Sequence, residues 1–249
     1  MKRLLVILVA VLAGLVLFSC KSSTSPEDDF DIDVELDRDI LVAFSSYGDF
    51  EETFASITVK EDVEGDVSLK VNGVEAELDF SYPAMGKVFH YFYIDYIEFG
   101  STFDYEFQVG DIHHSGSIKH PDRYNANFPE FDINKDYTFD WTLRSNPQYQ
   151  FLDYALDGEA GNDWKVVYDT VTLKPSARSY TLKKSIWSSL DTVEYMDFYL
   201  IANNMNRHGT RSTVYAYSEA YKEEDWEEWK TNKEIVPKGL QLLVNKHMK

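Results

Sequence analysis

The sequence predicts an all-β protein, two tandem antiparallel β-sandwich domains behind an export signal and a polar tether, with a short C-terminal extension that is helical or irregular. Three observations predict it. From Val34 onward, short alternations of apolar and polar residues rich in β-branched and aromatic side chains are broken by turn signals. That pattern runs twice, with an interruption at His120-Pro121-Asp122-Arg123. The chain has 249 residues, 44% of them hydrophobic and 15% aromatic, which suffices for two small cores at roughly 100 to 150 residues per domain.

The first element is an address. Lys2 and Arg3 precede an unbroken apolar run from Leu4 to Phe18, the charged and apolar regions of an export signal. Its 15 residues fall short of the roughly 20 that cross a bilayer as a helix. The run ends in Leu17-Phe18-Ser19-Cys20, and Cys20 is the only cysteine, so internal disulfides and cysteine-based metal sites are excluded. This junction resembles the lipobox of bacterial lipoproteins. The resemblance implies cleavage before Cys20, acylation of its thiol and new amino terminus, and a partnership with the lipid bilayer. More than one acyl chain gives stable anchoring. Removing residues 1–19 takes away Lys2 and Arg3 and moves the net charge from −19 to −21. Such a field disfavours nucleic acid and an anionic lipid surface alike.

Residues 20–34 read as a tether, because Lys21-Ser-Ser-Thr-Ser-Pro-Glu-Asp-Asp29 is polar and has no apolar periodicity. Lys21 stands where enteric lipoproteins kept in the inner membrane resemble one another in carrying Asp, so the outer membrane is the expected destination. Asp28, Asp29, Asp31 and Asp33 read as a solvated acidic run.

Residues 35–120 form the first predicted sandwich. Val67–Val71 and Val74–Phe80 flank Asn72-Gly73, the preferred pair for a type I′ turn, which sets Val71 opposite Val74, Leu69 opposite Ala76 and Val67 opposite Leu78 with their side chains on one face. Phe103–Val109 and Ile112–Ile118 flank Gly110-Asp111, setting Val109 opposite Ile112, Phe107 opposite His114 and Phe103 near Ile118. Val88–Phe99, apolar or aromatic on both faces, reads as a central strand, joined by Leu41–Ser45 and Phe54–Val59. Residues 121–220 form the second, through strands at Tyr137–Leu143, Trp164–Thr172, Ser179–Lys183, Val193–Ala202 and Thr210–Ser218, with a loop over Asn203–Gly209. Gly100–Tyr105 and Leu173–Tyr180 resemble the turn-then-tyrosine segment of fibronectin type III and immunoglobulin-like modules, a likeness of a few residues that implies the sandwich class and no named family. Residues 221–249 form the extension, where Asp225 and Glu228 have the spacing of a helix N-cap and its third residue and Trp226 and Trp229 share a helical face.

The 17 Tyr, 16 Phe and 5 Trp are the strongest excess. Filling two cores accounts for most of them, while exposed rings would stack on sugars. Trp226, Trp229 and the loop residues Asn203, Asn204 and Asn206 are the candidate ligand platform. Asp132-Ile-Asn-Lys-Asp136 lacks the later glycine and glutamate of a calcium loop, so a polar turn is expected. His113 and His114 point to opposite faces of a strand, leaving His90 as the expected neighbour of His114. No metal, cofactor or catalytic residue is assigned, and no fingerprint of a nucleotide, phosphate or serine-nucleophile site occurs. The sequence therefore predicts a lipid-anchored extracytoplasmic module that binds or assembles an envelope protein. The alternatives are a carbohydrate-binding surface lipoprotein and, less favoured, a glycosidase using two carboxylates.

Overall fold

The computed structural model describes residues 38–47, 52–63, 65–84 and 86–225. Cys20, the tether, Trp226, Trp229 and the proposed helix beyond Asp225 lie outside them. Within the first half are β1 (Ile40–Tyr47), β2 (Glu52–Lys60), β3 (Val67–Val71), β4 (Val74–Glu75), β5 (Glu77–Ala84), β6 (Lys87–Ile94), β7 (Thr102–Val109) and β8 (Ile112–Lys119). The second half holds β9 (Asn125–Asn127), β10 (Tyr137–Thr142), β11 (Tyr149–Ala160), β12 (Asp163–Leu173), β13 (Ser179–Leu182), β14 (Tyr195–His208) and β15 (Ser212–Asp225), with one short 3-10 turn at Lys184–Trp187. The protein is all-β.

Eight strands form one sheet in the order β12-β11-β14-β15-β1-β2-β6-β5, which runs through both halves. A four-stranded sheet, β4-β3-β7-β8, and a three-stranded sheet, β13-β10-β9, make the other layers. The first core lies between the four-stranded sheet and the large one, with Ile40, Val42, Phe44, Ile57 and Val59 facing Leu69, Phe103, Phe107 and Ile118. The second joins Phe139, Trp141, Leu182 and Trp187 to Leu152, Leu156, Met196, Phe198 and Leu200. β15 ties the two together. Its Val214 and Ala216 enter the first core while Ala220 packs against the second. It pairs antiparallel with β14 and parallel with β1, Ile40 opposite Ser212 through Ser45 opposite Tyr217. Since residues paired across a ladder share a face, both small sheets lie on the same side of the large sheet.

The Gly110-Asp111 hairpin has the expected register, Val109 opposite Ile112, Phe107 opposite His114 and Phe103 opposite Ile118. Asn72 and Gly73 have φ of 51° and 79°, as a type I′ turn requires. Val71 pairs with Val74 and the Ala76 amide reaches the Leu69 carbonyl, but the arm then leaves. β5 crosses to pair with β6, with a register shift between Leu78 and Phe80, so Leu78 never meets Val67. Val74 and Leu78 are exposed, correcting the expected single apolar face. The central strand at Val88 ends at Ile94 instead of Phe99. β11, the twelve-residue strand carrying much of the second core, has no counterpart in the sequence reading. Asn203–His208 is the end of β14, so no loop exists there, and β15 runs on to Asp225, past the expected end of the second sandwich at residue 220.

Candidate functional site

The two faces of the large sheet do different things, and alternation along each strand decides which side chain goes where. Toward the small sheets, even-numbered residues of β14 end in Asn204, Asn206 and His208, which pass between the two cores and meet β8, the outer strand of the four-stranded sheet. Asn204 Nδ2 donates to the Lys119 carbonyl (2.7 Å), while its Oδ1 accepts from the Gln148 amide (2.8 Å). Asn206 Nδ2 donates to the Ser117 carbonyl (2.8 Å) and to the Tyr105 hydroxyl (3.0 Å). These amides occupy backbone acceptors on a strand edge that would otherwise template another strand. Asn203 points the other way and is also buried. Asn204 and Asn206 are thus internal ties, and none of the three asparagines forms an exposed platform. The polarity of this segment suggested a loop, and long-range hydrogen bonds from Asn204 and Asn206 hold it in a strand instead.

His114 pairs with His208, not with His90. The two rings stack with centroids 4.6 Å apart and planes 17° from parallel. His90 Nδ1 instead contacts the Ser81 hydroxyl at 2.8 Å. Stacked imidazoles do not aim their lone pairs at one point, and no group of three or more metal-ligating side chains occurs among the described residues. At the chain crossover His120 is fully buried, donates from Nδ1 to the Pro121 carbonyl (3.0 Å) and packs edge-on to Phe99. Burial pulls its pKa down to about 4. Asp132 caps the Asn134 amide and pairs with Lys135 (2.7 Å), and Asp136 takes Lys183 (2.9 Å) and the Lys184 amide, the expected polar turn.

On the opposite face, β12, β11, β14 and β15 carry a field of rings. Tyr149 and Phe151 come from β11, Trp164 and Tyr168 from β12, Tyr195 and Tyr199 from β14, and Tyr217 and Tyr221 from β15. Trp164 meets Tyr195 edge-on at 6.2 Å, and Tyr199 stacks on Tyr221 at 6.0 Å. The centre is closed, with Phe151, Ile201 and Tyr217 buried. The rim is not, since Trp164 is 48%, Tyr168 42% and Tyr221 61% exposed. Further along the same face Phe80, Tyr82, Phe89 and Tyr91 form a second stacked group on β5 and β6. Among the rings of β11, Asp153 accepts from the Thr170 hydroxyl (2.7 Å), and burial lifts its pKa to about 7. The sequence signal for this surface was the run of tyrosines at alternate and fourth positions, Tyr215, Tyr217 and Tyr221, which puts them on one face of a strand.

No family model and no curated protein matches the chain. Among solved structures, tandem immunoglobulin domains of titin match at 9% identity over 76% of this chain and 93% of that one, with a TM-score of 0.21.

Proposed function

We propose that this protein is a non-catalytic binding module, held outside the cytosol by lipid on Cys20 and engaging an envelope protein through the aromatic rim of its large sheet. The exposure of Trp164, Tyr168 and Tyr221 beside a buried aromatic centre carries the reading, because a partner that covers such rings gains contact area at low entropic cost. The lipobox-like junction at Cys20 supports the anchor, and the acidic tether keeps a body of like charge clear of the lipid surface. Photocrosslinkers placed at Tyr168 and Tyr221 in the native envelope should give one discrete adduct that a crosslinker at Lys70, on the far sheet, does not. Absence of any adduct specific to the rim sinks the proposal. Cys20→Ser should release the chain from membranes and remove the lipid mass from the intact protein.

Sugar binding is the second reading, favoured by the Trp164 and Tyr195 pair with the exposed Glu159 opposite Trp164 on β11. Quenching or enhancement of Trp164 fluorescence by glycans, lost in Trp164→Phe, separates it from a protein partner.

A further inference from the structure

The aromatic face is one use of this sheet; the contact between β14 and β8 is another, and it stands whatever the protein binds. Asn206 Nδ2 is fixed as a donor because the Ser117 carbonyl can only accept. Its second hydrogen goes to the Tyr105 oxygen, 3.0 Å away. The Tyr105 hydroxyl, in a residue 2% exposed, must therefore send its own hydrogen to Nε2 of His208 at 2.7 Å. That bond makes Nε2 an acceptor and leaves the proton of the neutral ring on Nδ1. Gly116, opposite Tyr105 on β8, leaves the space the hydroxyl occupies, since a Cβ there would lie 2.7 Å from it.

We propose that Tyr105, His208 and His114 form an acid-sensitive latch, which holds the four-stranded sheet against β14 while both imidazoles are neutral and lets the β8 edge part from β14 when they take up protons. A proton on Nε2 of His208 confronts the Tyr105 hydroxyl with a second donor and leaves a buried O–H without an acceptor. A second cation on His114 would lie 4.6 Å from the first.

The surroundings do not offset this. From β7 come Tyr105 and Phe107, while Glu106 faces away and holds Lys70 (3.1 Å) and His113 (3.2 Å). From β8 comes His114, and from β14 Asn206 and His208, with Arg207 on the other face. At the turn into β15, Arg38 donates to the Gly209 carbonyl, and Arg211 pairs with Asp39. Among the described residues no carboxylate forms an ion pair with either ring of the stack. Desolvation first, and the neighbouring imidazole second, hold the His208 pKa below its usual value; desolvation and then His113 do so for His114. The latched state thus binds fewer protons than the open one. Its stability is complete above the ordinary histidine value of about 6.5 and declines as pH falls below it. Opening uncovers the Ser117 and Lys119 carbonyls of β8, an edge able to pair with an extended strand.

Hydrogen exchange of the full chain in detergent, corrected for intrinsic rates, tests the latch. Between pH 7.5 and 5.5, β8 amides should exchange about tenfold faster while β11 and β12 stay unchanged. The His114→Phe, His208→Gln double variant should abolish that dependence. Equal β8 protection at both pH values, or the same acceleration in the double variant, overturns the proposal. If that variant does not fold, Tyr105→Phe decides, because it keeps both imidazoles and the packing. Its His208 resonance should titrate closer to the ordinary value, and an unmoved titration overturns the latch.

Discussion

Two side-chain networks tie the small sheets to the large one, and they are built from different chemistry. In the second core the hub is Gln150. Its Oε1 accepts from Trp141 Nε1 and the Tyr124 hydroxyl, both at 3.1 Å, and its Nε2 donates to the Lys174 and Pro175 carbonyls. At the edge of the first core the hub is the Tyr105 hydroxyl, between Asn206 and His208. The amide serves donors and acceptors at once and carries no titratable proton. The imidazole can serve as an acceptor only while neutral. One network is a fixed rivet between a small sheet and the large one, and the other is conditional on pH.

The largest effect that would break this contrast lies at Gln150. Replacing it with Leu strips the acceptor from two buried donors, so Gln150→Leu should cost about 2–4 kcal/mol in denaturant unfolding, equally at pH 8 and pH 5.5. A cost that varied with pH would erase the distinction. His120 comes next. Its native pKa of about 4 lies below the unfolded value of about 6.5, so its contribution is whole above the unfolded value and is lost as pH falls from 6.5 toward 4. The expected loss is about 2–3 kcal/mol, and His120→Phe should flatten that limb of the stability profile. Asp153 gives an effect of similar size and the opposite sign. Its carboxyl is held protonated to about pH 7 by burial, so the native state binds the extra proton and stability falls as pH rises from about 4 through 7. Asp153→Asn should therefore raise stability by about 2–4 kcal/mol at pH 8, an increment that vanishes in acid, read as a change in melting temperature at the two pH values.

Local chemistry was legible in the sequence where two signals coincided. At Gly110-Asp111 the turn and the alternation agree, and every pair expected there forms. At Asn72-Gly73 the turn was equally clear, yet the bulge at Leu78/Phe80 and the pull of β6 redirect the second arm, which no hairpin rule foresees. β11 escaped because both its faces are buried, so Tyr149–Ala160 shows neither clean alternation nor a continuous apolar run. The aromatic field followed from strand alternation only once β11, β12, β14 and β15 were neighbours. His114 could be assigned to the inner face of its strand, but its partner His208 is set by tertiary topology. The same limit hid the pairing of β1 with β15, which joins segments from opposite ends of the described chain.

That pairing has a mechanical consequence. β1 is an interior strand with β2 on one flank and β15 on the other, and the residues leading to Cys20 attach at its Ile40 end. A pull along the axis of β1 loads the bonds to both neighbours together in shear instead of peeling them one at a time. On the proposed lipid anchorage at Cys20, the body would give way last at the strand nearest its tether.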